Sequence, residues 1–346
     1  MHPIPHAPAR GPARAKPDWY PATAKYGKPD IRRATWQIID TMVPYAGLWA
    51  LMILMIRNGS PYWMTLALAV LAGGLLVRIF ILFHDCCHGS FFASRRANTL
   101  MGFVTGILVF TAFEDWRRAH GRHHATFGDL DRRGTGDIWT MTVAEYRAAS
   151  LRKRFAYRFF RNPLVLFGPG PLILFLVLNR FPTAGARRRD RISVLLTDLA
   201  ILAVLLLAGL TIGLRTYLLI QLPIILVASC AGMWLFYVQH QFEGVYWARH
   251  ENWDPMRVAL EGSSYYRLPK VLQWFTGNIG LHHVHHVRPR IPNYHLQQCC
   301  DGIPALKAVQ PLTLRGSLKC LKLNLWDEAK QRLVSFRTLK SLPQAV

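Results

Sequence analysis

Four apolar runs stand out along the chain, at Ile38–Ile56, Tyr62–Phe83, Val194–Gly213 and Tyr217–Val238. Each approaches the ~20 residues that a helix needs to cross a hydrocarbon core, and each is long for a helix of an ordinary soluble core. They come in pairs. The connection inside the first pair is RNGSPYW and inside the second GLRTY, whereas the segments before, between and after the pairs are long and rich in Lys and Arg. The pattern predicts two helical hairpins with their tight turns on one side and the basic remainder on the other. Two weaker apolar stretches, Leu100–Phe113 and Pro163–Leu178, are respectively short and broken by FGPGP. They predict re-entrant or interfacial helices, because irregular backbone at membrane depth requires protein around it. GFVTG, Gly102 to Gly106, fits the small-xxx-small packing pattern, and no internal repeat is evident.

Composition assigns the sides. About half of the 346 residues are hydrophobic, yet the formal charge is +23. By the positive-inside rule the N-terminal arm, the central region and the C-terminal region are cytoplasmic and the two turns face out, with Arg57 and Arg215 as exceptions. The same rule accounts for the charge without a nucleic-acid partner. Residues 1–34, rich in Pro, Ala, Lys and Arg, lack the apolar core and cleavage site of a signal peptide and read as a disordered cytoplasmic arm. Residues 35–310 then form one membrane-embedded unit, and 311–346 a basic cytoplasmic tail. Six cysteines, including the adjacent pairs Cys86/Cys87 and Cys299/Cys300, show no disulfide framework and fit a reducing compartment.

The candidate chemistry lies just beyond the span ends. HDCCH places His84 and His88 four apart as the second span emerges, HGRHH gives His120, His123 and His124, and HHVHH gives His282, His285 and His286. Positions i, i+3 and i+4 share a helical face, so each cluster can aim two or three imidazoles at one point. Imidazole suits iron, zinc, copper and nickel, and eight such ligands exceed the needs of one ion, so two metal ions are the economical reading. His240, at the cytoplasmic end of the fourth span, is a ninth candidate. His2, His6, His250 and His295 are isolated, His283 points away from its neighbours on a helix, and Cys86 and Cys87 read as packed small residues. Asp85 and Asn278 are candidate partners for the outer ring nitrogens, since metal-bound histidine usually donates its second N–H to a carboxylate, amide or carbonyl.

A metal site beneath apolar spans implies a lipid-like substrate. The order H-x-x-x-H, H-x-x-H-H, H-x-x-H-H, within HDCCHGSFF, WRRAHGRHHATFGDLDRRGTGDIWTMTVAEY and TGNIGLHHVHHVRPRIPNYHLQQC, resembles the three-box signature of membrane fatty acid desaturases, in particular the bacterial acyl-lipid branch related to Δ12 (omega-6) enzymes. Cys87 stands where relatives usually have Gly.

The resemblance implies an all-α integral membrane fold with four transmembrane helices and a cytoplasmic helical cap. It implies two non-haem iron ions held by His84, His88, His120, His123, His124, His282, His285 and His286, with His240 as the extra ligand. O₂ would be co-substrate for placing a cis double bond in an acyl lipid, in a bacterial inner membrane. No haem segment or G-x-G-x-x-G fingerprint is seen, so electrons are expected from a separate ferredoxin or cytochrome b5 type donor. A lipid hydroxylase, acetylenase or carotenoid ketolase would use a closely similar histidine site. A metal transporter would instead place ligands near the bilayer midplane on broken spans.

Overall fold

The computed structural model describes residues 16–134 and 136–340. Expectations for residues 1–15, His2 and His6 among them, lie outside the described residues. The predicted spans fall in the four longest helices: α1 (Ile31–Arg57), α2 (Tyr62–His88), α9 (Arg188–Thr211) and α10 (Leu214–His240). Between them come α3 (Arg95–Leu108), α4 (Phe113–Thr126), β1 (Met141–Thr142), α5 (Val143–Ala148), α6 (Leu151–Phe160), α7 (Pro163–Leu166) and α8 (Pro169–Leu176). After α10 follow α11 (Pro255–Glu261), β2 (Tyr265–Arg267), α12 (Lys270–Phe275), α13 (His282–Val287), α14 (Asn293–Gly302), β3 (Pro311–Thr313), β4 (Leu325–Asp327) and β5 (Arg332–Val334).

Among the described residues five helices are long and apolar enough to cross a membrane, the fifth being Pro163–Arg180. This stretch, expected to be re-entrant or interfacial, is interrupted between α7 and α8, where Gly168 takes φ −117°, ψ −105°. The weaker run at 100–113 is likewise split: α3 and α4 meet at 99° across a break of four residues. The close approach at this bend depends on Gly102, where a Cβ would stand 2.2 Å from the Phe113 ring.

α2 is the central helix, packed on α1, α3 and α10. Its lipid-type residues are the most enclosed of the spans, with Leu76, Ile79, Leu82 and Phe83 all at or near zero exposure. The two tight turns lie at the same end of the bundle. Arg57 at the end of α1 donates from Nη2 to the Thr211 carbonyl at the end of α9 (3.1 Å), and Tyr62 Oη donates to the Leu219 carbonyl (2.9 Å). A 27-residue helix is about 40 Å long, so the far ends of α2 and α10 bring His84, His88 and His240 together at the opposite end.

The helix α1 begins earlier than the apolar run because Asp30 caps it, Oδ1 accepting from the N–H groups of Arg32 and Arg33. α2 stops at Gly89, whose φ of 62° suits glycine. Its N–H donates to the Cys86 carbonyl and that of Ser90 to the Asp85 carbonyl, the paired bonds of a Schellman ending. HDCCH is thereby held helical to its last residue.

The described fold differs from the sequence expectation in three places. The arm is not loose from Lys16 onward: Tyr20–Gly27 forms a 3-10 helix, with Trp19, Tyr20 and Tyr26 packed against the α13–α14 core. Arg288 Nε donates to Thr23 Oγ1 (2.6 Å) and His295 Nδ1 donates to the Tyr26 carbonyl (3.0 Å). Three aromatics among many basic and small residues are enough to fasten it. The C-terminal region folds back onto the cap, where β3 pairs in parallel with β2, and β4 pairs in parallel with β1 and antiparallel with β5. Trp326 of β4 is almost fully buried. These short strands qualify the all-α expectation, although helices dominate.

Candidate metal centre

Nine histidines from four segments meet at the cap end of the bundle. His84 and His88 come from the last turn of α2, His120, His123 and His124 from one face of α4, His240 from the last residue of α10, and His282, His285 and His286 from α13. Two groups result. His84, His88, His120, His124 and His285 each offer a ring nitrogen, all within 4.8 Å of one another, and His123, His240 and His286 do the same. His282 joins the second group, with its Nε2 3.1 Å from the Nε2 of both His240 and His286. The groups are adjacent, the His124 and His286 rings being 4.2 Å apart.

The nitrogen spacing fits metal ligation. Nε2 atoms of His123 and His240 are 3.2 Å apart, those of His120 and His124 3.1 Å, and those of His124 and His285 3.0 Å. Ligands at the ~2.1 Å of an imidazole–metal bond and at right angles around one ion stand about 3.0 Å apart. Nε2 of His84 and of His88 are buried without any hydrogen-bond partner, and both belong to the five-histidine group. Burial first, then the neighbouring imidazoles, pushes His282, His285 and His286 well below the usual histidine range. They are therefore held neutral, the form that ligates. All donors in both groups are imidazoles, a set suited to iron, zinc, copper or nickel.

Each group contains one histidine bound to a carboxylate. His84 Nδ1 lies 3.1 Å from Asp85 Oδ1, and His123 Nδ1 lies 2.7 Å from Asp137 Oδ1. Such a contact fixes the proton on Nδ1 and leaves Nε2 free to ligate. Asp137 reaches His123 because its loop presses on α4 at Gly136, which has φ 75° and where a Cβ would be 3.2 Å from that of His123. Oδ2 of Asp137 accepts from the Gly134 N–H. An aromatic wall encloses the rings: Trp116 stacks on His120 (4.2 Å, 20°), Phe127 lies 4.1 Å from His240, and Phe236 5.4 Å from His123.

The nine sequence-predicted histidines are thus brought together, and the other three described histidines, His250, His283 and His295, are not part of these groups. His283 is buried and bonded to the Leu306 carbonyl (3.1 Å), and His250 bridges Asp129 and Arg132. Cys86 and Cys87 are buried outside both groups. Asp85 is against His84 as expected. Asn278 is not against a ring nitrogen: its amide donates to the Asn293 carbonyl (3.2 Å), and its φ of 59° serves the turn before α13. The residue that reaches the site is Asn293, whose backbone N–H and Nδ2 both donate to Asp85 Oδ2. Sequence reasoning missed it and Gln37 behind it. The only signal was an Asn seven residues after the third box, beside IP.

A bundle of long apolar helices closed at one end by a nest of imidazoles defines a membrane-type protein with a histidine-rich centre whose donor set suits metal ions. Residues 61–306 match the family model described as fatty acid desaturase. The chain is 48% identical over 320 residues to a fatty acid desaturase of Bacillus subtilis, covering 92% of this chain and 90% of that one. It is 26% identical over 244 residues to an sn-1 oleoyl-lipid 12-desaturase of Synechocystis sp., covering 65% of this chain and 64% of that protein. It is 24% identical over 247 residues to that organism's sn-1 acyl-lipid omega-3 desaturase (ferredoxin), covering 68% and 66%. The chain belongs to the fatty acid desaturase family and is an oxidoreductase of fatty acyl chains.

Proposed function

We propose that this chain introduces a cis double bond of the Δ12/omega-6 type into a monounsaturated acyl chain carried on a membrane lipid. In this reading His84, His88, His120, His124 and His285 hold one iron ion, and His123, His240, His282 and His286 hold the other. When bound, the two irons supply O₂ activation and removal of hydrogen from an unactivated C–H bond. The observation that carries the reading is the convergence of nine imidazoles, five buried and four half-buried, with neighbouring Nε2 atoms 3.0–3.2 Å apart, at the end of an apolar bundle.

The protein's own part is orientation and exclusion. Asp85 and Asp137 hold the Nδ1 protons of His84 and His123 and so keep each Nε2 turned to its ion. Trp116, Phe127 and Phe236 keep water from the rings. α1, α2, α9 and α10 are the four spans, with α7 and α8 dipping into the bilayer from the cap side, and residues 35–310 form the catalytic unit. The cap and both termini face the cytoplasm of a bacterial inner membrane. The basic cap accepts a ferredoxin or cytochrome b5 type donor, the name of one Synechocystis relative supporting ferredoxin. The sn-1 oleoyl-lipid 12-desaturase relative supports the regiochemistry.

The test is expression in a host rich in monounsaturated chains, beside a His123→Ala variant, with gas chromatography and mass spectrometry locating double bonds. A new Δ12 diene only with the intact chain supports the reading. Hydroxylated chains, or a double bond elsewhere, would replace the reaction or position proposed.

A further inference from the structure

The helix α6, LRKRFAYRFF, has an apolar face that no part of the described chain covers. Leu151, Phe155 and Phe159 recur every four residues, and so share one side of the helix; they are 81%, 73% and 59% exposed. Tyr157, on the opposite side, is fully buried against Trp139, Tyr146 and Phe336. On the helical wheel Arg152 and Arg158 flank the exposed apolar stripe, Arg154 lies farther round, and Lys153 lies on the Tyr157 side. Ten residues thus carry four cations and no acid. Among the described residues no carboxylate pairs with any of the four. Arg154 donates to the Ala149 and Arg147 carbonyls and Arg158 to Tyr146 Oη, while Arg152 and Lys153 are exposed.

The placement of α6 says what covers it. One turn beyond its end the chain enters the apolar stretch α7–α8, beginning with the 81% exposed Leu164. That stretch packs on α10, with Phe167 5.1 Å from Trp234 and 5.3 Å from Tyr237, less than two turns from His240. The apolar stripe of α6 is therefore continuous with the lipid-facing belt, at the level where the cap begins. A short helix with an apolar face flanked by cations lies in the plane of a bilayer surface, its apolar side chains among the upper acyl carbons and its cations among headgroups. We propose that α6 is an interfacial helix that seats the cap on the leaflet and binds anionic phospholipid headgroups through Arg152 and Arg158, the two exposed cations that flank the stripe. The charge balance selects anionic lipid over zwitterionic, since each cation near a charged surface strengthens attraction about fivefold.

The proposal does not depend on the metal reading, and its test separates it from the membrane reading itself. The full chain, in a Cys230→Ser background that leaves five buried cysteines, carries a nitroxide on Phe155→Cys or, as a control, on Leu210→Cys, a position 88% exposed on α9. Collision rates with O₂ and with a water-soluble nickel chelate are read in vesicles of phosphatidylcholine alone and of phosphatidylcholine mixed with phosphatidylglycerol. The label at 155 should favour O₂ in the mixed vesicles, and Arg152→Glu should move it several-fold toward the chelate, while Leu210→Cys keeps its O₂ preference throughout. Free access of the chelate at 155 in mixed vesicles, with the control intact, overturns the proposal. Shielding from both reagents overturns it in favour of a protein partner or a second copy on this face. Equal burial in the two lipids, unmoved by charge reversal, overturns the headgroup assignment.

Discussion

Asn293 grips one oxygen of Asp85 twice, its backbone N–H at 2.6 Å and its Nδ2 at 2.9 Å from Oδ2, while the other oxygen faces His84. Behind it, Asn293 and Gln37 exchange amide hydrogen bonds of 2.7 and 3.1 Å, so that α1, α14 and the end of α2 are joined by one buried chain. Asn293→Ala removes the second donor to Asp85 and breaks the link to Gln37. Losing such a support for a metal-bound histidine typically costs 10–100-fold in metal affinity or activity. Purified Asn293→Ala protein should hold less iron by elemental analysis and turn over at least tenfold more slowly. Full iron content would show that Asp85 needs no such anchor.

Asp137 should matter as a charge. Asp137→Asn keeps the size of the side chain but no longer compels the proton onto His123 Nδ1, and a loss of about tenfold or more in activity is expected. Asp131→Asn is the matched control, since Asp131 pairs with Arg249 and the His250 N–H at the surface. Exposed pairs of that kind contribute little, so turnover should change less than about twofold. Comparable losses in the two variants would point to loop stability instead of histidine orientation.

His240 and His283 are both buried, but only one joins the nest. His240→Ala should lose diene production and iron, whereas His283→Asn, at a position bonded to the Leu306 carbonyl, should retain iron and lose chiefly thermal stability. Product analysis and iron content on the same preparations distinguish the two. An iron-depleted His283→Asn protein would contradict the assignment.

At the bend between α3 and α4, Gly102→Ala puts a methyl group into the Phe113 ring. Overpacking of this kind costs about 1–3 kcal/mol. A lower unfolding temperature in detergent is expected, with activity falling as well because α4 carries His120, His123 and His124.

Burial raises the thiols of Cys299 to about 12 and Cys300 to about 11. Both are above the ordinary value of 9.0. The folded protein holds these protons more tightly than the unfolded chain, so their contribution to stability is complete below pH 9 and falls as pH rises toward 11–12. At pH 8 neither should react with iodoacetamide over hours in the folded protein, and mass spectrometry should find both modified after unfolding. Rapid labelling of either in the native state would exclude the buried arrangement.

The nine histidines were legible because ligand spacing is local: two or three imidazoles on one helical turn are written into consecutive residues. The four longest helices were legible for the same reason, as uninterrupted apolar runs. What escaped was the network between segments. Asn278 and Asn293 look alike in sequence, and only the turn before α13 decides that the second reaches Asp85. The sequence leaves open which acid of FGDLDRRGTGD meets a ring nitrogen and which pair with the adjacent arginines, and what selects Asp137 is the positive φ of Gly136. The strands β1, β4 and β5 have two or three residues each, below any recognisable alternation. The fastening of residues 16–27 rests on three aromatics that a basic, proline-rich composition conceals.

The four segments of the nest are spread over two hundred residues, and α13 completes it. During biosynthesis α2 and α4 leave the ribosome long before their partners exist, and for that interval His84, His88, His120, His123 and His124 belong to a half-built shell. The nest comes into being only when the third box has been translated and has docked against helices already made. The capture of any ion by the whole nest is thus a closing act of assembly, timed by the last third of the chain.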